Sequence, residues 1–275
     1  MTISAPPEQT LRTSLARPGQ PPSRRIALIA GVLFVITFVT SIPALLLYGP
    51  VLDQVGYITG AGADTRVLMG AFLELLLIIA NIGTAVVLFP VLKRQSESIA
   101  LGYVMARVVE SAFIAVGILS VLALVTLRQD LAGTGTDPAA LETVGRSLVA
   151  TKDWTFLLGP GFVVGVGNGL MLGYLMYRSG LVPRRMAMLG LVGGPLICVS
   201  GIAVLFGAID AGSLWQGIAT VPEFIWELSL GIYLIVKGFR PSSVLYDDGR
   251  HTGVDGPLIP GLAAPVVAVP VVAES

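Results

Sequence analysis

The sequence predicts an all-α protein: a polytopic transmembrane helical bundle of six spans with both termini cytoplasmic. Three observations predict it. Hydrophobic residues make up 54% of the 275 and charged residues only 12%, against roughly 25% charged in an ordinary soluble domain. The mean hydropathy is +0.84, and so little polar surface cannot cover that many apolar side chains in water. Stretches of the roughly 20 apolar residues that cross a hydrocarbon core recur along the chain. None alternates as an outer-membrane barrel strand does, which leaves the helix as the element that satisfies its own backbone in lipid.

Six stretches qualify: Ile26–Tyr48, Val67–Leu92, Ile99–Leu127, Trp154–Tyr177, Met186–Ile209 and Trp215–Val236. The first is too long for the apolar core of a secretory signal and has no small-residue cleavage site close behind it. Residues 1–25, with five prolines, read as a flexible cytoplasmic arm. Residues 26–240 form the membrane domain. Residues 241–275, rich in Pro, Ala and Val, read as a disordered cytoplasmic tail whose apolar run Leu262–Val272 is too short to span. Twelve Lys and Arg fall on the side of the termini and four (Arg66, Arg128, Arg146, Lys152) on the other, which sets the orientation with both termini cytoplasmic. The longest loop, Arg128–Asp153, then lies outside, with a short amphipathic helix expected over Asp137–Ala150. Pro43, Pro90, Pro160, Pro195 and Pro222 lie within spans. Each reads first as a kink and second as a broken helix at a binding site.

In the fourth span Gly161, Gly165, Gly169 and Gly173 recur every four residues. On a helix they make a side-chain-free groove against which another backbone packs. Gly190 and Gly194 of the fifth span are small residues of the same kind. The face is a packing device: the fourth span is expected to pack tightly against a neighbouring span of the bundle, with a second copy or another membrane protein as further partners.

Five charged side chains fall within spans: Glu74, Arg107, Glu110, Glu223 and Glu227, joined by Asn81 and Asn168. A charge at the bilayer centre costs roughly 2.5–3.5 kcal/mol even on insertion scales, so none should face lipid. At about 1.5 Å per residue, Arg107 lies about 12 Å inside its helix and Glu227 about 18 Å. Asn81 and Asn168 come about 21 Å deep. Glu74 and Glu223 sit in the outer half. Four glutamates thus meet one arginine in the core. Arg107 is expected to pair with Glu227 or Glu110, leaving Glu74 and Glu223 neutral, hydrated or matched by an exogenous group. The alternative is that the whole layer only glues helices together.

Absences narrow the chemistry. Lys and Arg number 17 and Asp and Glu 17, so no basic field exists for nucleic acid. The sole histidine, His251, lies in the tail, which excludes histidine-ligated haem and a Ser–His dyad in the membrane. A single cysteine, Cys198, excludes a disulfide framework. No catalytic residue, metal ligand or cofactor site is assigned.

Ala106-Arg107-Val108-Val109-Glu110, then the run Leu172 to Arg184 ending in Ser-Gly-Leu-Val-Pro-Arg, then Trp226-Glu227-Leu228-Ser229-Leu230-Gly231 with Tyr233 to Gly238, together carry a likeness. Over roughly Arg25 to Arg240 the chain resembles a bacterial multi-pass membrane family known as domain of unknown function 4386. The resemblance implies an inner-membrane bundle and no assigned activity. It also implies that Arg107 and Glu227 stand at favoured positions, and that Asn168 stands where members often carry a histidine; asparagine does not titrate. The reading favoured by the residues is non-enzymatic: a small transporter, channel-like protein or sensor whose polar layer meets a small ion or solute. The alternatives are a membrane enzyme or accessory acting on a lipid or quinone, with Glu223 and Glu227 as an i, i+4 acid–base pair, and a purely structural bundle.

Overall fold

In the computed structural model of the chain, the described residues are 22–246 apart from 53–56, 61, 132–134 and 136. The expectations for the arm before residue 22 and the tail beyond 246 lie outside them. Six helices are long and apolar enough to cross a membrane, and the described residues contain no strand. Helix α1 (Pro22–Leu47) begins inside the expected arm and leads through the short α2 (Gly49–Leu52) to α3 (Asp64–Leu92) and α4 (Glu97–Leu131). Then come α5 (Pro138–Leu158), two π-helical segments (Gly159–Val163 and Gly165–Leu172) and α6 (Gly173–Ser179). Helices α7 (Arg184–Leu205) and α8 (Leu214–Val236) follow, and the short α9 (Ser243–Tyr246) closes the described chain.

The fourth span differs from expectation. The segment before it is not an external loop with a separate helix: α5 runs straight into the span, making one helical rod of 42 residues, Pro138–Ser179. Its start is chemically defined. The Asp137 carboxylate accepts from Ala139 N at 3.1 Å, and Pro138 occupies the first helical position. No glycine or proline interrupts Ala150–Leu158, so nothing ends the helix where hydropathy changes. The π-helical stretch begins where Pro160 removes a backbone donor and five glycines (159, 161, 165, 167, 169) supply no side chain to hold the α register. Gly180, at φ 66°, closes α6 in the left-handed conformation that glycine adopts without strain.

The spans form a ring in chain order. Each packs on the next, and α8 returns to α1. Glycines close that seam: a Cβ on Gly31 would stand 2.7 Å from the Gly231 carbonyl oxygen. Arg24 adds a polar tie, donating to Leu234 O at 2.9 Å and Ile235 O at 2.7 Å among the orphan carbonyls that end α8. Ile79, Leu119 and Val199 face outward and are each more than 60% exposed, as lipid contact allows. Hydroxyls of Thr37, Thr40, Thr84, Ser120 and Ser200 bond back to carbonyls of their own helices, which satisfies them without water.

The two ends are filled differently. Toward the end that carries Arg24, Arg94 and Arg184, the interior is an apolar cluster that includes Phe34, Leu88, Tyr103, Leu175, Trp226 and Leu230, all fully buried. Ser242 and α9 dock on this end: Ser242 Oγ donates to Ser179 O at 2.6 Å, and Val244 is buried. At the opposite, loop end, Arg128 holds both oxygens of Asp64, and Tyr57 Oη donates to Asp64 Oδ1 at 2.6 Å. Burial, then the bond to Asp64, push the Tyr57 hydroxyl above the ordinary tyrosine value.

Candidate functional site

The middle of the ring holds a closed polar triangle. Arg107 Nη1 donates to Glu110 Oε2 at 2.8 Å, Arg107 Nη2 to Asn81 Oδ1 at 2.5 Å, and Asn81 Nδ2 to Glu110 Oε1 at 3.1 Å. Arg107 and Glu110 lie one turn apart on α4, so the helix itself sets their approach, and α3 supplies Asn81. The planar guanidinium turns one nitrogen to each partner in a fixed fork, a geometry that lysine's single nitrogen does not reproduce. Of the two acids expected beside Arg107, Glu110 takes the hydrogen bond; Glu227 Oε1 stands 3.9 Å from Nη1. Glu227 is held instead by Asn168, whose Nδ2 donates to it. Trp226 Nε1 donates to the Asn168 backbone carbonyl at 3.0 Å, fixing α8 on the π-helical segment beside this contact.

Glu74 has a partner the sequence did not offer. The sequence alone leaves it over with Glu223 and puts Lys152 in the outer loop. In the structure Lys152 Nζ lies 2.6 and 2.7 Å from the Glu74 carboxyl oxygens, and the lysine is 4% exposed. Tyr48 Oη donates to the same carboxylate at 2.8 Å, and Nζ stands 4.8 Å from the Tyr48 ring centroid. The continuous α5 explains this, because it carries Lys152 inward along α4 at Gly117. A Cβ there would meet Thr155 Oγ1 at 2.7 Å and Lys152 Nζ at 3.2 Å. The readable signal was the Asp137–Pro138 helix start; the hydropathy edge at Trp154 obscured it. The core therefore holds two cations, not one.

Glu223 differs from the other acids. It is 2% exposed, and neither carboxyl oxygen has a hydrogen-bond partner. Its carboxyl lies where two glycines leave room: a Cβ on Gly169 would be 2.7 Å from Oε2, and one on Gly193 would be 2.9 Å from it. The glycine face of the fourth span thus does more than pack. Gly165 and Gly169 approach Gly194 on α7, Gly173 approaches Leu191, and Gly161 presents its carbonyl to Gly201. Gly169 also makes space for a carboxyl.

A cavity of about 820 Å³ joins these groups. It is lined from Leu52 and the α7–α8 loop residues Ala211–Ser213 at the loop end down to Arg107 and Glu227. Glu74, Asn81, Arg107, Glu110, Glu223 and Glu227 all line it; Asn168 stands behind Glu227 and does not. The wall between them is mostly apolar and includes Phe38 and Phe224, whose rings meet edge to face at 5.0 Å. Sequence reasoning had no route to that pair, nor to Tyr48, because each lies on an apolar stretch with no local polar signal.

Six helices long and apolar enough to cross a membrane, ringing a mostly apolar cavity that reaches a few buried acids, define a multi-pass integral membrane protein of unassigned activity. The family model described as Domain of unknown function (DUF4386) matches residues 29–238. The chain belongs to that family. No curated protein and no solved structure matches it.

Proposed function

We propose that this is a non-enzymatic membrane protein that binds a small solute or ion in the central cavity, as a transporter, a channel-like protein or a sensor component. One observation carries the reading: the cavity of about 820 Å³ reaches a carboxyl, Glu223, that is buried and has no partner. Ligand sites are concave, mostly apolar and equipped with a few convergent polar groups. Intramembrane ionisable groups are retained at a cost that function commonly explains. A purely structural cluster would be paired throughout and would need no cavity. The packed apolar cluster toward the basic end supports access from the loop end only.

The Lys and Arg asymmetry supports an inner-membrane protein with cytoplasmic termini. It sharpens once Lys152 moves into the core, leaving Arg66, Arg128 and Arg146 at the loop end. The cavity then faces outward. A membrane-impermeant thiol reagent applied to intact cells checks this: Ala211→Cys in a Cys198→Ser background reacts if the reading is right and stays unlabelled if the orientation is reversed. The binding reading is tested by a thermal-shift screen of the purified protein in detergent against inorganic cations, amines, lipids and quinones, repeated with Glu227→Gln. At least one small solute or ion should raise the midpoint of the parent and lose that effect in the variant. If nothing shifts the parent, the site is structural.

A further inference from the structure

We propose that the cavity takes a monovalent organic cation with an apolar body, its charge met by Glu223 and its hydrocarbon lying against the Phe38–Phe224 pair. The inference rests on the binding reading above and names the ligand class. The first support is charge matching. The lining carries Glu74, Glu110, Asp153, Glu223 and Glu227 against Arg107 and Lys152. Lys152 is taken up by Glu74, and Arg107 by Glu110 and Asn81. No cation on the wall remains for Glu223, and the guanidinium is Glu227's only lining cation, at 3.9 Å. An anion would meet surplus acid, whereas a cation supplies the missing partner.

The second support is shape and surface. A bare inorganic ion needs several oxygen ligands at short range, and about 820 Å³ of mostly apolar wall does not cage one. That volume suits a drug-sized molecule. Aromatic rings beside an acid are the surroundings in which organic ammonium and related cations bind. Phe38 and Phe224 come from α1 and α8, and Phe156 from α5 adds a third ring on the lining. Glu223, Phe38 and Phe224 all line the one cavity, so charge and rings are open to the same occupant.

The test uses the full chain in detergent and a probe pair of one shape and opposite charge: radiolabelled tetraphenylphosphonium and tetraphenylborate, measured by equilibrium dialysis. Saturable one-to-one binding of the phosphonium and none of the borate is expected. Glu223→Gln should weaken phosphonium binding about tenfold or more, the scale of a lost charge-assisted contact. Gly217→Leu, at a lining position where an added Cβ meets nothing within 4 Å, should weaken it by crowding the mouth while leaving every acid in place. Circular dichroism and gel filtration check that Glu223→Gln folds; if it does not, Gly217→Leu and the borate comparison decide. Equal binding of both probes, no saturable phosphonium binding, or phosphonium binding indifferent to the folded variants overturns the cation assignment. The binding reading survives that result if another solute or an inorganic ion shifts the parent's unfolding in a Glu227-dependent way. It falls with the assignment if nothing does.

Discussion

Replacing Lys152 by Met removes the cation that Glu74 faces and keeps the aliphatic stem beside Gly117. The ion pair is short, with Nζ at 2.6 and 2.7 Å from the two oxygens. The side chains are only 5% and 9% exposed. At an effective dielectric of about 20, the attraction at that separation is about 6 kcal/mol. Taking each charge out of water costs several kcal/mol, so the intact pair contributes little net stability. The single variant is different because it strands a carboxylate. The expected loss is about 3–5 kcal/mol, and the remaining Tyr48 bond places it toward the lower figure. For a chain of this size that is a fall of about 6–20 °C in the unfolding midpoint. Glu74→Met alone should lose a similar amount by stranding the ammonium. The double variant, Lys152→Met with Glu74→Met, should return to within about 1 kcal/mol of the parent, a coupling of about 5–6 kcal/mol if each single loses about 3. Thermal unfolding of the four proteins in one detergent closes the cycle. A Lys152→Met midpoint within about 1 °C of the parent would show a hydrated pair with a surface-like value of about 0–1 kcal/mol, and the reasoning would fail. So would a double variant as unstable as the summed singles.

Four further outcomes are expected. Arg107→Lys keeps the charge but replaces the fork that places one nitrogen on Asn81 and one on Glu110 with a single nitrogen, so unfolding in detergent should show a loss of about 1.5–3 kcal/mol, the value of one hydrogen bond to a charged group. Gly169→Ala places a methyl on Gly194 Cα and 2.7 Å from Glu223 Oε2, and overpacking should cost about 1–3 kcal/mol. Gly217→Ala, which meets nothing, should be neutral or add about 0.5–1 kcal/mol in the same assay. Tyr57 has a raised folded value, so its contribution is fully present below the ordinary tyrosine value of about 10 and is lost as pH rises beyond it. The parent's stability advantage over Tyr57→Phe, measured between pH 8 and about 11, should therefore shrink at the alkaline end; a constant difference would show that the hydroxyl does not titrate differently on unfolding.

Composition and hydropathy determined a six-span helical bundle, because a chain this apolar must bury its backbone polar groups in helices wherever lipid surrounds it. Span positions followed from length and hydropathy except in the fourth, whose helix starts at Pro138, and the family likeness was readable in Arg107 to Glu110, the run ending at Arg184, and Trp226 to Gly238. The polar residues were also visible in the sequence, since a Glu, Arg or Asn within twenty apolar residues stands out against the cost of placing it there. Only the tertiary structure decided which acid met which cation. Hydropathy marks a change of solvent and not the end of a helix, so Lys152 looked external until the continuous α5 carried it to Glu74. Glu223 and Glu227 are one turn apart on the same helix, yet Asn168 from a facing π-helical turn holds one and the other lies unpartnered where Gly169 and Gly193 leave room. Pairing depends on distances between helices far apart in sequence, and a cavity is the space those helices leave unfilled; local sequence encodes neither.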